Sequence, residues 1–114
     1  KEGFKDIDDI NMMPITEGCT SNQWLSVITL NEESKVKPTD IIDALEKENI
    51  ESRRIWKPMN LQPVYKDNMF YNHNENGISV GEDIFNRGVC LPSDTKMTND
   101  DLKRVINIIT SLFN

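Results

Sequence analysis

The sequence is poor in the residues that enzymes use for chemistry. Among its 114 residues there is one histidine, His73, and two cysteines, Cys19 and Cys90. A Ser-His-Asp or Cys-His site would have to be built on His73, which sits in an Asn-rich stretch (Asn72, Asn74, Asn76) with little to hold it rigid. His73 therefore reads as a solvated loop histidine. The cysteines lie far apart and in no CxxC or Cys/His spacing, which excludes a disulfide framework and a zinc ribbon and fits a reducing, cytoplasmic setting. Cys90, in an apolar run, reads as an inert core thiol. The five glycines never fall into GxGxxG or a Walker-type loop, so no loop of that kind cradles phosphate. Asp6, Asp8 and Asp9 lack the glycine and terminal glutamate of an EF-hand and read as a solvated acidic turn. Apolar runs fall well short of the roughly 18 residues a membrane helix needs, and no basic-then-apolar leader is present. Basic residues are the minority, 13 against 19 acidic, giving a formal charge of −6. That balance argues against nonspecific binding to nucleic acid or to an anionic membrane. The first residue is Lys1 rather than Met, from which a piece of a longer protein is expected.

What is present has the pattern of one small α/β domain with a real core. Thr98 to Phe113 carries Leu102, Val105, Ile106, Ile109, Leu112 and Phe113 on one helical stripe, with Thr98 as the cap and Asp100 and Asp101 in the first turn. A second helix is predicted from Pro38 to Asn49, burying Ile41, Ile42 and Leu45. A third runs from Ser79 to Asn86, where Ser79 and Glu82 have capping-box spacing and Gly88 stands at the position of a left-handed stop. Strands are predicted at Trp24 to Leu30 (WLSVITL), Arg53 to Trp56 and Gly88 to Leu91, with a further edge piece at Asn11 to Met13. The order predicts an α+β sandwich: a mainly antiparallel sheet with helices on one face.

Met59 to Gly77 is too long for a plain connection in so small a domain. Its front, Met59 to Tyr65, is apolar enough to dock on something, and its Asn-rich back reads as mobile. Just before it, Glu51 to Tyr65 (ESRRIWKPMNLQPVY) concentrates two arginines, a tryptophan and a lysine. In an extended segment Arg53 and Arg54 point to opposite faces. An arginine beside an aromatic and a lysine suits an anionic or planar ligand, through hydrogen bonds and stacking.

Three stretches, SNQWLSVITL (21–30), DIIDALEKENIESRRIWKPMNLQPVY (40–65) and GEDIFNRGVCLPSDTKMTNDDLKRVINII (81–109), resemble the C-terminal domain of the DegT/DnrJ/EryC1/StrS aminotransferases. These are fold type I enzymes that use pyridoxal phosphate to aminate nucleotide-linked keto sugars for surface polysaccharide and other glycan precursors. The resemblance covers most of the chain from Pro14 on. It implies that residues 14–114 are the small C-terminal domain and that 1–13 are the end of an interdomain connection plus an edge segment. Lys1 to Lys5 would be the stump of a joining helix. The large domain, with the Schiff-base lysine and the phosphate-binding residues, would be missing, since none of the nine lysines here lies in such a motif. The cofactor would then be bound by that domain, and this piece alone would be inactive. The resemblance further implies a nucleotide-sugar substrate, glutamate as the usual amino donor, and a homodimeric parent.

Carried over by position, Arg53, Trp56, Lys57, Asn60 and Gln62 are the implied substrate contacts, with no catalytic, cofactor-binding or metal-binding residue on this chain. The family often has histidine where Asn60 stands. Asparagine can donate and accept a hydrogen bond but cannot shuttle a proton at neutral pH. Two other readings compete: a stand-alone α/β ligand-binding or regulatory module for an anionic ligand, and a folding and dimer-supporting unit that touches no ligand.

Overall fold

The computed structural model describes residues 2–22, 24–73 and 77–114. Four strands, β1 (Ile10–Met12), β2 (Ser26–Leu30), β3 (Arg53–Arg54) and β4 (Gly88–Leu91), form one antiparallel sheet in the order β1-β2-β4-β3. Between them run α1 (Pro38–Lys47), α2 (Val80–Arg87) and α3 (Asn99–Ser111). The register Ile28↔Val89 and Ser26↔Leu91 puts Ile28, Leu30, Val89 and Leu91 on one face of the sheet. There they meet Ile41 and Leu45 of α1 and Val105 and Ile109 of α3 in a single apolar core. The predicted sandwich is what forms, with α1 and α3 covering that face. Among the described residues no helix is long and apolar enough to cross a membrane.

The helix starts follow their local chemistry. The Thr98 hydroxyl accepts from the Asp101 amide, while the Asp101 carboxylate accepts from the Thr98 amide, closing a capping box. This bonding to Thr98 holds the Asp101 carboxyl below its usual range. Ser79 caps α2 through the Glu82 amide, and Asp40 accepts from the Lys37 amide at the start of α1.

Several expectations need correction. Gly88 is not a left-handed stop: its φ of −103° is extended and it is the first residue of β4. A left-handed residue does end a helix elsewhere: Asn49, with φ 57°, turns the chain after α1. Leu102 is 49% exposed and lies outside the buried stripe, whereas Ile109 is fully buried. Strand β2 begins at Ser26, leaving Trp24 outside the ladder, and β3 is only two residues long. Lys1 lies outside the described residues, and Glu2–Phe4 forms a 3-10 turn rather than an α-helical stump. Phe4 and Ile10 are buried in the common core, so this segment packs with the rest.

Helix α2 is tied down by Arg87. Its Nε donates to Asp83 Oδ1 at 2.7 Å, a second guanidinium N–H reaches Asp83 Oδ2, and a third reaches the Leu30 carbonyl on β2. The hydrogen bond from Arg87 holds the Asp83 carboxyl below its ordinary range, against a smaller opposing effect of burial. A carboxyl depressed in the folded state adds stability that is present above its unfolded pKa and is lost as pH falls through the folded value. Asp83→Asn is therefore expected to cost about 0.5–1 kcal/mol near neutrality, with the difference from the parent closing below about pH 4. Urea melts from pH 3 to 7 check this, and a gap that stays constant across the range would refute the assignment.

Candidate functional site

The candidate segment starts on an edge strand. Arg53 and Arg54 pair with Cys90 and Val89 of β4, and the pleat sends them opposite ways, as expected. Arg54 is half-buried. Its guanidinium lies 4.8 Å from the centre of the Phe85 ring and donates to the Phe85 carbonyl at 2.8 Å. It thus neutralises the negative end of α2 and fixes that helix to β3. Arg53 is exposed and forms an ion pair with Glu51, its Nε donating to Oε1 at 2.8 Å.

Beyond β3 the chain leaves the sheet. Trp56 is 65% exposed and meets Trp24, 69% exposed, with ring centroids 5.8 Å apart and planes inclined by 34°. Their flank is a groove of about 340 Å³, bordered also by Arg53, Cys90, Pro92 and Ser93. The Ser93 hydroxyl donates to the Trp24 carbonyl at 3.0 Å and anchors that segment. Cys90 is half-buried there, and desolvation raises its thiol pKa, so the thiolate is disfavoured at neutral pH.

Pro58 and Pro63 open two successive 3-10 turns, Met59–Leu61 and Pro63–Tyr65. Gln62 turns back along the segment, its Nε2 donating to the Lys57 carbonyl at 3.4 Å. Lys57 is exposed. Asn60 lines a separate shallow hollow of about 480 Å³ with Tyr71, Asn72, His73, Ser79 and Gly81. The Asn72 side chain donates to the Gly77 carbonyl at 2.8 Å and closes the returning arm. The Asn-rich back of this loop, expected to be mobile, lies partly at 74–76, outside the described residues. The front does present apolar side chains to solvent, Met59 and Val64 most clearly.

The five sequence-derived positions are therefore not one pocket. Arg53 and Trp56 share a groove, Asn60 lies in another hollow, Lys57 is exposed and lines neither, and Gln62 braces the turn. Two residues not among the sequence-derived site positions join them. Trp24, expected inside a strand, lies outside the ladder beside Trp56, and His73, exposed as expected, shares the hollow of Asn60. No local signal pairs residues that far apart in sequence. A larger hollow, about 560 Å³, lies elsewhere, between Phe4 and the α3 side chains Leu102 and Ile106, and is mostly apolar.

The described residues do not fit pyridoxal phosphate. All eight lysines among them are exposed, and an amine that is to hold a carbonyl compound covalently needs a pocket that desolvates and orients it.

Comparison with known proteins gives a consistent picture. A family model described as the DegT/DnrJ/EryC1/StrS aminotransferase family matches residues 1–110. The chain is 42% identical over 113 residues to the putative pyridoxal phosphate-dependent aminotransferase EpsN of Bacillus subtilis (strain 168), covering 99% of this chain but 28% of that protein. It is 27% identical over 99 residues to GDP-perosamine synthase of Vibrio cholerae, covering 87% of this chain and 26% of that protein. Among solved structures, the fold matches Helicobacter pylori PseC, an aminotransferase of pseudoaminic acid biosynthesis, with a TM-score of 0.76 at 18% identity over 98% of this chain and 29% of that one. It also matches a DegT DnrJ EryC1 StrS aminotransferase from Brucella abortus with a TM-score of 0.74 at 23% identity, over 97% and 27% of the two chains. The chain thus spans a little over a quarter of the length of these relatives.

Proposed function

The chain belongs to the DegT/DnrJ/EryC1/StrS aminotransferase family, and from that premise we propose that it is the small C-terminal domain of a pyridoxal phosphate-dependent enzyme that aminates a nucleotide-linked keto sugar. In this reading residues 14–114 form the domain and 1–13 the end of the connection to a large domain. The large domain holds the cofactor, and the assembled enzyme is a cytoplasmic homodimer that takes its amino group from glutamate and serves amino-sugar and surface polysaccharide synthesis. This chain alone transfers no amino group.

The observation that carries the reading is the segment Arg53 to Gln62. A strand anchored by the core and by Arg54 delivers the exposed Trp56 and Lys57, followed by the half-buried amides Asn60 and Gln62, past the edge of the sheet. Such a wall binds and orients a polar substrate without doing chemistry on it. Lys57 supplies positive charge. Asn60 supplies a donor and an acceptor. Gln62 keeps its amide oxygen for a ligand while its Nε2 steadies the turn. Arg53 is already paired with Glu51, which weakens the competing idea of a stand-alone site for a free anion.

The test uses an enzyme in which this domain is joined to the rest of a family chain. Lys57→Ala is expected to raise KM for the nucleotide-sugar and to lower kcat/KM by one to two decades, the loss of one charge-assisted hydrogen bond of roughly 1.5–3 kcal/mol. The half-reaction with glutamate should be unchanged, and the isolated domain should show no activity. Equal losses in both half-reactions, or none in either, would refute the binding role.

A further inference from the structure

Both tryptophans of the chain stand on one side of the sheet, largely uncovered and in contact with each other. They flank β2 and β3, which are not neighbours but are separated by β4. Their contact therefore spans segments on either side of β4, and the groove on their flank is also lined by Cys90 and Pro92. Neither indole belongs to the core; both are displayed. The two rings are tilted by 34° with centroids 5.8 Å apart, and about two thirds of each residue remains exposed.

The polar groups beside the rings define what would lie on them. Arg53 and Glu51 form a pair that is neutral overall, so the rim attracts a free phosphate weakly. Their bonds use Arg53 Nε and Nη2 and Glu51 Oε1, which leaves Nη1 and Oε2 out of the pairing. The rim accordingly presents a donor and an acceptor side by side next to an aromatic face. A flat heterocycle with a mixed donor and acceptor edge matches both at once, through stacking in one direction and hydrogen bonds in the other.

We propose that Trp24 and Trp56 form a stacking platform for the base of the nucleotide carried by the substrate, with Arg53 and Glu51 meeting the edge of the base. This deepens the proposed function and rests on it for the presence of a nucleotide. The division of labour then follows from charge: the neutral aromatic groove takes the base, and Lys57, on the adjoining turn, takes the anionic part of the molecule.

The chain provides its own probe, since every tryptophan photon comes from this pair. Titrating the intact chain with uridine and guanosine monophosphates is expected to change the tryptophan emission saturably, after correction for absorbance. Ribose 5-phosphate should produce no change. Trp24→Ala and Trp56→Ala, each read through the remaining indole, should weaken the apparent affinity about tenfold or more, as loss of a stacking partner does. Because both rings are exposed, circular dichroism melts of the variants should match the parent, which separates lost binding from lost folding. Non-saturating change, equal affinity in the variants, or an equal response to ribose 5-phosphate overturns the proposal. So does concentration-dependent self-association that Trp56→Ala abolishes, which would assign the rings to a protein interface. None of these readings needs cofactor or amino donor, so failure here leaves the Lys57 kinetics to judge the transferase reading separately.

Discussion

Replacing Ile109 with Ala is expected to remove about 2–5 kcal/mol of folding stability, the range for deleting a large aliphatic side chain from a close-packed interior. Ile109 is fully buried at the point where α3 meets the core shared with Ile41 and Leu45 of α1 and Val89 of β4. Helices α1 and α3 close the same face of one small sheet, so neighbouring side chains can collapse into the void only by moving both. For a domain whose whole stability is of the order of 5–15 kcal/mol, such a loss corresponds to a fall in Tm on the order of 10–20 °C. The paired control is Leu102→Ala, seven residues or about two turns away on the same helix but 49% exposed. It should stay within about 0.5 kcal/mol of the parent. Guanidinium denaturation of both variants checks this. Equal costs would mean that the α3 stripe is oriented differently from the one described.

Gly88→Ala is expected to cost about 3 kcal/mol, the upper part of the range for forcing extra volume into a packed site. The reason is steric rather than conformational, because the backbone at Gly88 is extended and any residue can adopt it. A Cβ there would overlap the Ile55 side chain and would lie 2.6 Å from the Ile84 carbonyl oxygen. Ile55 can rotate away or be trimmed. The carbonyl belongs to α2, which Arg54 and Arg87 hold in place, and cannot. Ile55→Ala in the Gly88→Ala background should therefore relieve part of the cost and not all of it. Gly88→Asn separates the two explanations. A left-handed stop would accept asparagine readily, whereas a steric contact makes it at least as damaging as alanine. A double-mutant cycle measured by urea denaturation reads out the coupling, and full rescue by Ile55→Ala would refute the role given to the carbonyl.

What the sequence by itself determined is the part governed by contacts within a few residues. Thr98 with Asp101, Ser79 with Glu82, and Pro38 with Asp40 mark the helix starts, because a side chain capping an amide three positions on needs no distant partner. The apolar period of Ile41 and Leu45, and of Val105 and Ile109, marks the buried stripes for the same local reason. The motifs in 40–65 and 81–109 were enough to indicate the family, and their order was enough to indicate an antiparallel sheet. Only the tertiary structure decided the rest. That Gly88 is required by Ile55 and Ile84 rather than by its own φ depends on a strand and a helix meeting. That Trp24 leaves the ladder to meet Trp56 depends on β4 inserting between β2 and β3. That His73 shares a hollow with Asn60 depends on how the long loop returns. Each of these is a contact between segments distant along the chain. Neither side-chain period nor capping chemistry carries information beyond a few residues, so such pairings become visible only once the core has brought the segments together.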